Sequence, residues 1–195
     1  MLELVQKTRE IIHKLLFLLV YKHSFKSFGK KSTICFPFKI DGAKYITIGN
    51  KVHIHSNSWF LALKNQIKQP KIQIDDGVYI GRFSHIVSVS SIKIGKNVLI
   101  SDKVYISDNL HEYRDINIPI KNQKILEKNN VSIGNNTWLG ENTCVIGASI
   151  GNHCVIGANS VVLSDIADYS IAVGSPARVI KKYDFKTKNW EKVSE

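Results

Sequence analysis

The segment from Val131 to Val162 repeats with a period of six residues, broken by one five-residue step. An aliphatic residue recurs at every step, and glycine follows four of the six positions. The aliphatic positions are Ile133, Leu139, Val145, Ile150, Ile156 and Val162. Neither the 3.6-residue period of a helix nor the two-residue alternation of a strand produces this spacing. The period predicts an all-β chain that forms a parallel β-helix, in which each coil stacks its aliphatic residues on the coil below.

The same period, less regular at first, extends over most of the 195 residues, which suffice for one well-cored domain. We therefore predict a β-helix domain over residues 28–183, interrupted by an excursion loop over residues 107–130. A stack of this kind needs caps at its open ends. The charged tail over residues 184–195 is predicted to be a short C-terminal cap, either a short helix or a partly loose segment.

Residues 1–27 form a separate N-terminal segment, with an amphipathic helix predicted over residues 2–22. One interpretation is that this helix packs against the coil or a neighbouring subunit. The other is peripheral contact with a membrane, because the first 31 residues contain seven Lys and Arg against two Glu. No segment has the roughly 20 apolar residues needed to span a bilayer.

The overall charge is basic, with 27 Lys and Arg against 16 Asp and Glu. This balance suits a phosphate-bearing ligand, an anionic glycan or an anionic membrane surface. A nucleic-acid partner is not predicted, because no recognition helix, zinc finger or stacking platform is present. The three cysteines lack CxxC spacing and favour a reducing cytoplasm over a disulfide framework. The membrane interpretation of the helix would place the protein at the inner face of the membrane.

The repeat fails between Ile106 and Val131, where a long polar segment leaves the coil. Long loops in compact domains tend to be functional. This loop contains His111 with carboxylates on both sides, and histidine is the side chain whose unperturbed pKa suits a general base at neutral pH.

Four further segments accompany the hexads: SDNLH at 107–111, NNTWLGENT at 135–143, IGANSVV at 156–162 and GSPARVI at 174–180. With these motifs the chain resembles bacterial hexapeptide-repeat acyltransferases. It is most similar to the O-acetyltransferases of capsule, exopolysaccharide and lipopolysaccharide synthesis, with the maltose and galactoside acetyltransferases as cousins. The resemblance implies a left-handed parallel β-helix, a homotrimer with active sites between subunits, acetyl-CoA as donor and a sugar hydroxyl as acceptor. N-acetylation of an amino sugar or nucleotide-sugar is the alternative.

Acetyl transfer to a hydroxyl requires a base that takes the hydroxyl proton. His111 matches the family's catalytic histidine in position. Asp108 is our first candidate for the carboxylate that orients its imidazole, and the other candidates are Glu112, Asp115 and Glu127.

The CoA site is predicted mainly from the last coils. Trp138 has the outward position of its hexad, where an aromatic residue lies along the CoA arm in the resembling enzymes; a subunit-interface role is the alternative. Ala158 matches a backbone contact near the adenine. Arg178 and Lys181 would meet the phosphates. A solvated run of charge is the alternative for Lys181 and Lys182. Ser164 belongs to the same set, although the family commonly has a Thr-Lys pair at Leu163-Ser164.

The acceptor site departs from the family pattern, because Gly81 stands where the maltose and galactoside enzymes have an Asn that contacts the acceptor. Arg82, Ser84 and His85 are the candidates to replace it, and the alternative is that the acceptor is held differently, so a maltose-type substrate is not predicted. A metalloenzyme would require three convergent histidines, and the loop has no second histidine close to His111, so no metal is predicted. A purely structural solenoid would explain the repeat, but not the histidine-bearing loop or the outward Trp138.

Overall fold

The hexads wind into a coil with three faces, in a computed structural model that describes residues 1–65 and 68–193. Each hexad supplies a short strand and the turn that leads to the next face. The strands, numbered in chain order, are β1 Ser27–Phe28, β2 Thr33–Ile34, β3 Lys39–Asp41, β4 Ile46–Ile48, β5 His53–Ile54, β6 Trp59–Ala62, β7 Lys71–Ile74, β8 Tyr79–Ile80, β9 His85–Ser88, β10 Ser91–Ile94, β11 Leu99–Ile100, β12 Tyr105–Ser107, β13 Asn109–His111, β14 Ile125–Glu127, β15 Val131–Ile133, β16 Trp138–Leu139, β17 Cys144–Ile146, β18 Val155–Ile156, β19 Val161–Val162, β20 Ser170–Gly174, β21 Ala177–Asp184 and β22 Asn189–Lys192.

Each strand of the coil pairs in parallel with the equivalent strands of the coils above and below. The first face has the order β1-β4-β7-β10-β15, the second face β2-β5-β8-β11-β16-β18-β20, and the third face β3-β6-β9-β12-β17-β19. The hairpin β13-β14 forms a separate two-stranded antiparallel sheet outside these faces.

The aliphatic ladders fill the inside of the coil, which confirms the prediction from the period. On the first face Ile74, Ile94 and Ile133 are aligned in register, and each is fully buried. Burial of one such side chain contributes about 1.5–3 kcal/mol relative to exposure. Because every coil repeats the pattern, the core is continuous along the coil axis.

Small residues fill the corners, where neighbouring turns approach closely. The hydroxyl of Thr137 donates to the carbonyl oxygen of Gly151 at 2.7 Å, and that of Thr143 donates to Gly140 at 2.7 Å. Cys154 occupies an equivalent buried slot at 1% exposure. Burial raises the pKa of its thiol, as expected for a residue that fills the core.

The N-terminal helix α1 spans Leu2–Leu16, and a π turn over Phe17–Tyr21 and a 3₁₀ turn over Lys22–Ser24 continue it. Phe17 is buried and lies 6.0 Å from Phe25 and 5.6 Å from Phe28, between ring centroids. This aromatic cluster attaches the helix to the first coil. In the part of the chain that the structure describes, no helix is long and apolar enough to cross a membrane.

The C-terminal tail differs from the predicted helix or loose segment, because strand β22 pairs antiparallel with β21, which pairs antiparallel with β20. Asp184 begins the connecting turn by accepting hydrogen bonds from the backbone N–H groups of Lys186 and Thr187 at 2.6 and 3.2 Å. Tyr183 and Trp190 then face each other across the strands at 5.4 Å. A capped turn and a cross-strand aromatic pair are characteristic of a hairpin.

Candidate active site

His111 lies at the end of β13, where the excursion loop leaves the coil between its third and first faces. It is paired with Ile125 of β14, and its side chain is exposed to solvent. Within residues 1–65 and 68–193, no hydrogen bond to its ring is present. The imidazole is therefore available to a ligand or to another chain.

The loop is fixed at its returning end by contacts with the coil. The ammonium of Lys68 donates to both carboxylate oxygens of Glu127 at 2.9 Å. Lys128 donates to the carbonyl of Ile146 at 3.2 Å, and its stem crosses Gly147, where an added Cβ would lie 2.5 Å from Lys128 Cδ. Gly147 lies within the five-residue step of the repeat, and the absence of a Cβ there leaves room for the Lys128 side chain.

Asp108 does not orient His111, and this prediction needs correction. Its carboxyl group is fully buried and accepts four hydrogen bonds. The donors are the Ser88 hydroxyl at 2.6 Å, the backbone N–H groups of Val89 and Ser90 at 2.9 Å, and the Asn109 amide at 3.0 Å. Asp108 instead binds the start of the loop to the coil below.

The other candidate carboxylates also have partners other than His111. Arg114 hydrogen-bonds Glu112 and lowers the pKa of that carboxyl to about 2. Asp115 accepts a hydrogen bond from the backbone N–H of Asn117 at 2.9 Å. Glu127 binds Lys68, and this contact lowers the pKa of Glu127. An orienting group for His111 is therefore not found among the described residues of the same chain.

Trp138 lies on the outer surface of the second face, 46% exposed, with its indole N–H donating to the Ser101 hydroxyl at 3.0 Å. In register with it are Leu99 on the coil below and Val155 on the coil above. The same ladder continues through Ile171. Together Leu99, Trp138, Val155 and Ile171 form an outward apolar column, which we call the second-face column.

The second-face column ends at a positive charge, because Lys181 of β21 is paired with Ile171. Arg178 is paired with Val173 on the same sheet and is exposed. The alignment therefore places an aromatic ring, aliphatic side chains and two cations in order along one face. Sequence reasoning missed Leu99, Val155 and Ile171, although each directly precedes a buried residue of the second face, as Trp138 does.

The remaining predicted CoA residues lie at corners. Ala158 is exposed in the turn between β18 and β19, next to the second face. Ser164 is exposed in the turn after β19, between the third and first faces. The chain therefore brings Ala158 close to the second-face column and places Ser164 at the opposite corner.

The three acceptor candidates have different environments. Ser84 is fully buried, and its hydroxyl donates to the carbonyl of Gly81 at 3.0 Å, so the prediction that it contacts an acceptor is wrong. Arg82 is exposed and lies 3.6 Å from Asp102. An added Cβ at Gly81 would lie 2.4 Å from the Asp102 carboxylate, so this site has no room for the family's asparagine.

His85 lies on the outer surface of the third face and stacks on Trp59, with ring centroids 4.3 Å apart. Burial lowers the pKa of His85. Among the described residues, neither its Nε2 nor Trp59 Nε1 has a hydrogen-bond partner, although both atoms are buried. No group of three His, Cys, Asp or Glu side chains that could hold a metal occurs in this described part of the chain.

The structure combines a three-faced hexad coil, a histidine-bearing loop and the second-face column, and this combination defines a class of protein. A family model described as the hexapeptide repeat of succinyl-transferase matches residues 130–164. An Escherichia coli K12 protein described as the lipopolysaccharide-biosynthesis O-acetyltransferase WbbJ is 41% identical over 62% of this chain and 65% of its own length. The chain thus spans slightly less than two thirds of that relative.

A Saccharomyces cerevisiae protein described as an acetyltransferase is 34% identical over 66% of this chain and 70% of its own length. The chain belongs to the hexapeptide-repeat acyltransferase family. This membership confirms the resemblance that the hexads and the four motifs indicated.

Two solved structures extend the comparison. A mutant of AntD, an N-acyltransferase from Bacillus cereus in complex with dTDP and coenzyme A, aligns with a TM-score of 0.73 at 22% identity, over 87% of this chain and 90% of that chain. At this identity the similarity concerns the fold alone. A maltose O-acetyltransferase from Clostridium difficile aligns with a TM-score of 0.55 at 28% identity, over 83% of this chain and 72% of that chain.

Proposed function

We propose that this chain transfers an acetyl group from acetyl-CoA to a hydroxyl group of a sugar in a cell-surface polysaccharide or its precursor, with His111 as the general base. The observation that carries the proposal is the second-face column with its cationic end. The Escherichia coli relative, described as an O-acetyltransferase, favours an oxygen acceptor over a nitrogen acceptor.

The second-face column matches the chemistry of CoA. Leu99, Trp138 and Val155 offer an apolar track for the pantetheine arm. Lys181 lies three strands beyond Trp138 on the same ladder, about 14 Å away at the usual strand spacing, where a phosphate would meet it. Arg178 adds a second cation that can bind phosphate in a bidentate geometry.

The reaction follows from an exposed imidazole beside a bound thioester. A ring nitrogen of His111 accepts the proton of the sugar hydroxyl as the oxygen attacks the thioester carbonyl carbon. The tetrahedral intermediate then collapses, the C–S bond breaks, and the proton passes from the imidazolium to the departing CoA thiolate. The products are the acetyl ester and free CoA.

The proposal includes a left-handed coil and a homotrimer whose active sites lie between subunits. The placement of the two parts of the site supports this assembly. The loop that bears His111 leaves the coil between the third and first faces, whereas Trp138 lies on the second face. In a threefold assembly the loop of one subunit can meet the second face of its neighbour.

Release of free thiol from acetyl-CoA in the presence of a panel of sugars tests the proposal. The panel contains free oligosaccharides, nucleotide-sugars, amino sugars and lipid-linked glycans. We expect thiol release only with an acceptor, and a product that hydroxylamine cleaves, as it does an ester. A hydroxylamine-resistant amide on an amino sugar would favour N-acetylation, and no release with any sugar would reject sugar acetylation.

The CoA site has its own test in Trp138→Ala. Loss of this ring removes the largest apolar surface of the second-face column, so we expect CoA to bind about tenfold more weakly. Titration calorimetry measures the change, with Trp138→Phe as the matched variant that keeps an aromatic ring. Identical binding by the alanine variant and the parent would remove Trp138 from the site.

A further inference from the structure

The N-terminal helix presents opposite faces to the coil and to solvent. Arg9, His13 and Phe17, spaced four residues apart, face the coil. The Arg9 guanidinium lies 4.7 Å from the Phe36 ring centroid, and the His13 ring lies 3.9 Å from the same ring. Phe17 is buried in the aromatic cluster described above.

The opposite side of the helix is apolar and uncovered, and we call it the helix face. Its side chains are between 53% and 73% exposed. The helix face consists of Leu4, Val5, Ile11, Ile12, Leu15, Leu16 and Leu19. Thr8 lies among them, and its hydroxyl donates to the carbonyl of Leu4 at 2.9 Å, so this hydroxyl is satisfied within the helix. The helix therefore packs on its own coil through Arg9, His13 and Phe17, and it leaves its apolar stripe uncovered.

The surroundings of the helix face are strongly basic. Residues 1–51 contain ten of the 27 Lys and Arg and three of the 16 Asp and Glu, so they carry +7 of the net +11 charge. Lysines of the first coil and of the turn after β4 are exposed at the same end of the molecule. They are Lys26, Lys30, Lys31, Lys44 and Lys51.

We propose that the helix face lies in the surface of an anionic lipid bilayer and anchors this end of the coil to it. An exposed apolar face bordered by basic residues is the pattern of an interfacial helix, which buries its apolar side at the headgroup boundary. The lysines of the first coil then lie near the lipid phosphates, whose attraction for Lys and Arg falls off within a Debye length. The first coil then lies next to the membrane, and the candidate active site lies on later coils.

A second copy of the chain fits the helix face less well. It would bring the same positive charge to the same place, and like charges oppose association. The helix face is also wider than the narrow apolar stripe through which two helices pack in a coiled coil. Charge complementarity therefore selects the anionic bilayer.

Flotation of the full chain with vesicles tests the anchor. The vesicles are equimolar phosphatidylglycerol and phosphatidylcholine, or phosphatidylcholine alone, at low and high salt. We expect binding to the anionic vesicles, weaker binding to the neutral vesicles, and release by high salt. Absence of binding to the anionic vesicles, or equal binding to both kinds, would overturn the proposal.

The double variant Ile11→Gln/Leu15→Gln isolates the helix face. Both side chains are more than half exposed, so we expect unchanged thermal unfolding but about tenfold weaker vesicle binding. Ile116→Gln/Ile118→Gln is the matched control on the excursion loop and should bind vesicles as the parent does. If the double variant binds vesicles like the parent, the helix face is not the anchor and the proposal is wrong. If the parent does not bind vesicles and the double variant loses its oligomeric state, the helix face serves a second copy and the proposal is also wrong.

Discussion

Replacement of His111 by alanine is expected to lower kcat for acetyl transfer by about 10²–10⁴-fold, the range for a positioned general base. Because His111 lies on the loop and outside the second-face column, the affinity for CoA should not change. Thiol-release kinetics with a sugar acceptor and a separate CoA titration measure the two quantities independently. The fold should persist, since the His111 side chain is exposed.

The exposed His23, in the 3₁₀ turn after the helix, supplies the matched control. His23→Ala removes the same side chain in the N-terminal segment, away from the excursion loop, so its turnover should equal that of the parent. If His111→Ala also turns over at the parental rate, His111 is not the base. If it loses CoA binding as well, the loop has a binding role that the proposal does not contain.

A mixture of two defective variants tests whether the site lies between subunits. When equal amounts of His111→Ala and Trp138→Ala chains assemble at random into trimers, a site that takes His111 from one chain and Trp138 from its neighbour is intact at about a quarter of all sites. We therefore expect turnover at low acetyl-CoA to exceed that of either variant alone. A mixture no more active than the average of the two would place both residues of a site in one chain.

Asp108→Ala is expected to destabilise the protein by about 3 kcal/mol or more. The substitution leaves the backbone N–H groups of Val89 and Ser90 buried without an acceptor, and it leaves the Ser88 hydroxyl only the carbonyl oxygen of Lys71, at 3.3 Å. Each such unsatisfied group costs about 1–3 kcal/mol. The midpoint of thermal or urea unfolding reports the change.

Asp115→Ala is the matched control on the same loop, and its free energy of unfolding should stay within about 0.5 kcal/mol of the parent. Asp108→Asn distinguishes this structural role from an orienting role toward His111. A structural role predicts that its activity falls only in proportion to folded protein. An Asn variant as stable as the parent but with far lower kcat would restore Asp108 as the positioning residue of His111.

The buried core could be predicted from the sequence because burial in a three-faced coil depends on spacing alone. Ile133, Leu139 and Val145 lie where the six-residue period places them, and all three are fully buried. The same rule places Ser84 inside, four residues after Ile80, and this position decides against an acceptor role. The C-terminal hairpin was missed, since its pairing depends on a capped turn and on contacts between aromatic residues rather than on a repeat.

The candidate site was harder to predict, because proximity in the chain does not determine which way a side chain points. Asp108 is three residues from His111, yet its partners lie about twenty residues earlier, on the coil below. His85 and Trp59 are 26 residues apart in the sequence and stack face to face, because they occupy equivalent positions on successive coils. The register of the coils determines these contacts.

The first face continues straight across the excursion loop, since Ile94 of β10 pairs with Ile133 of β15 as if the residues between β12 and β15 were absent. The coils before and after the loop are therefore in register with each other where the loop emerges. Doubling the length of a flexible loop of this kind adds only about 0.6 kcal/mol of closure entropy. The segment that bears the histidine can thus be exchanged or lengthened at little cost in stability while the coil beneath keeps its register.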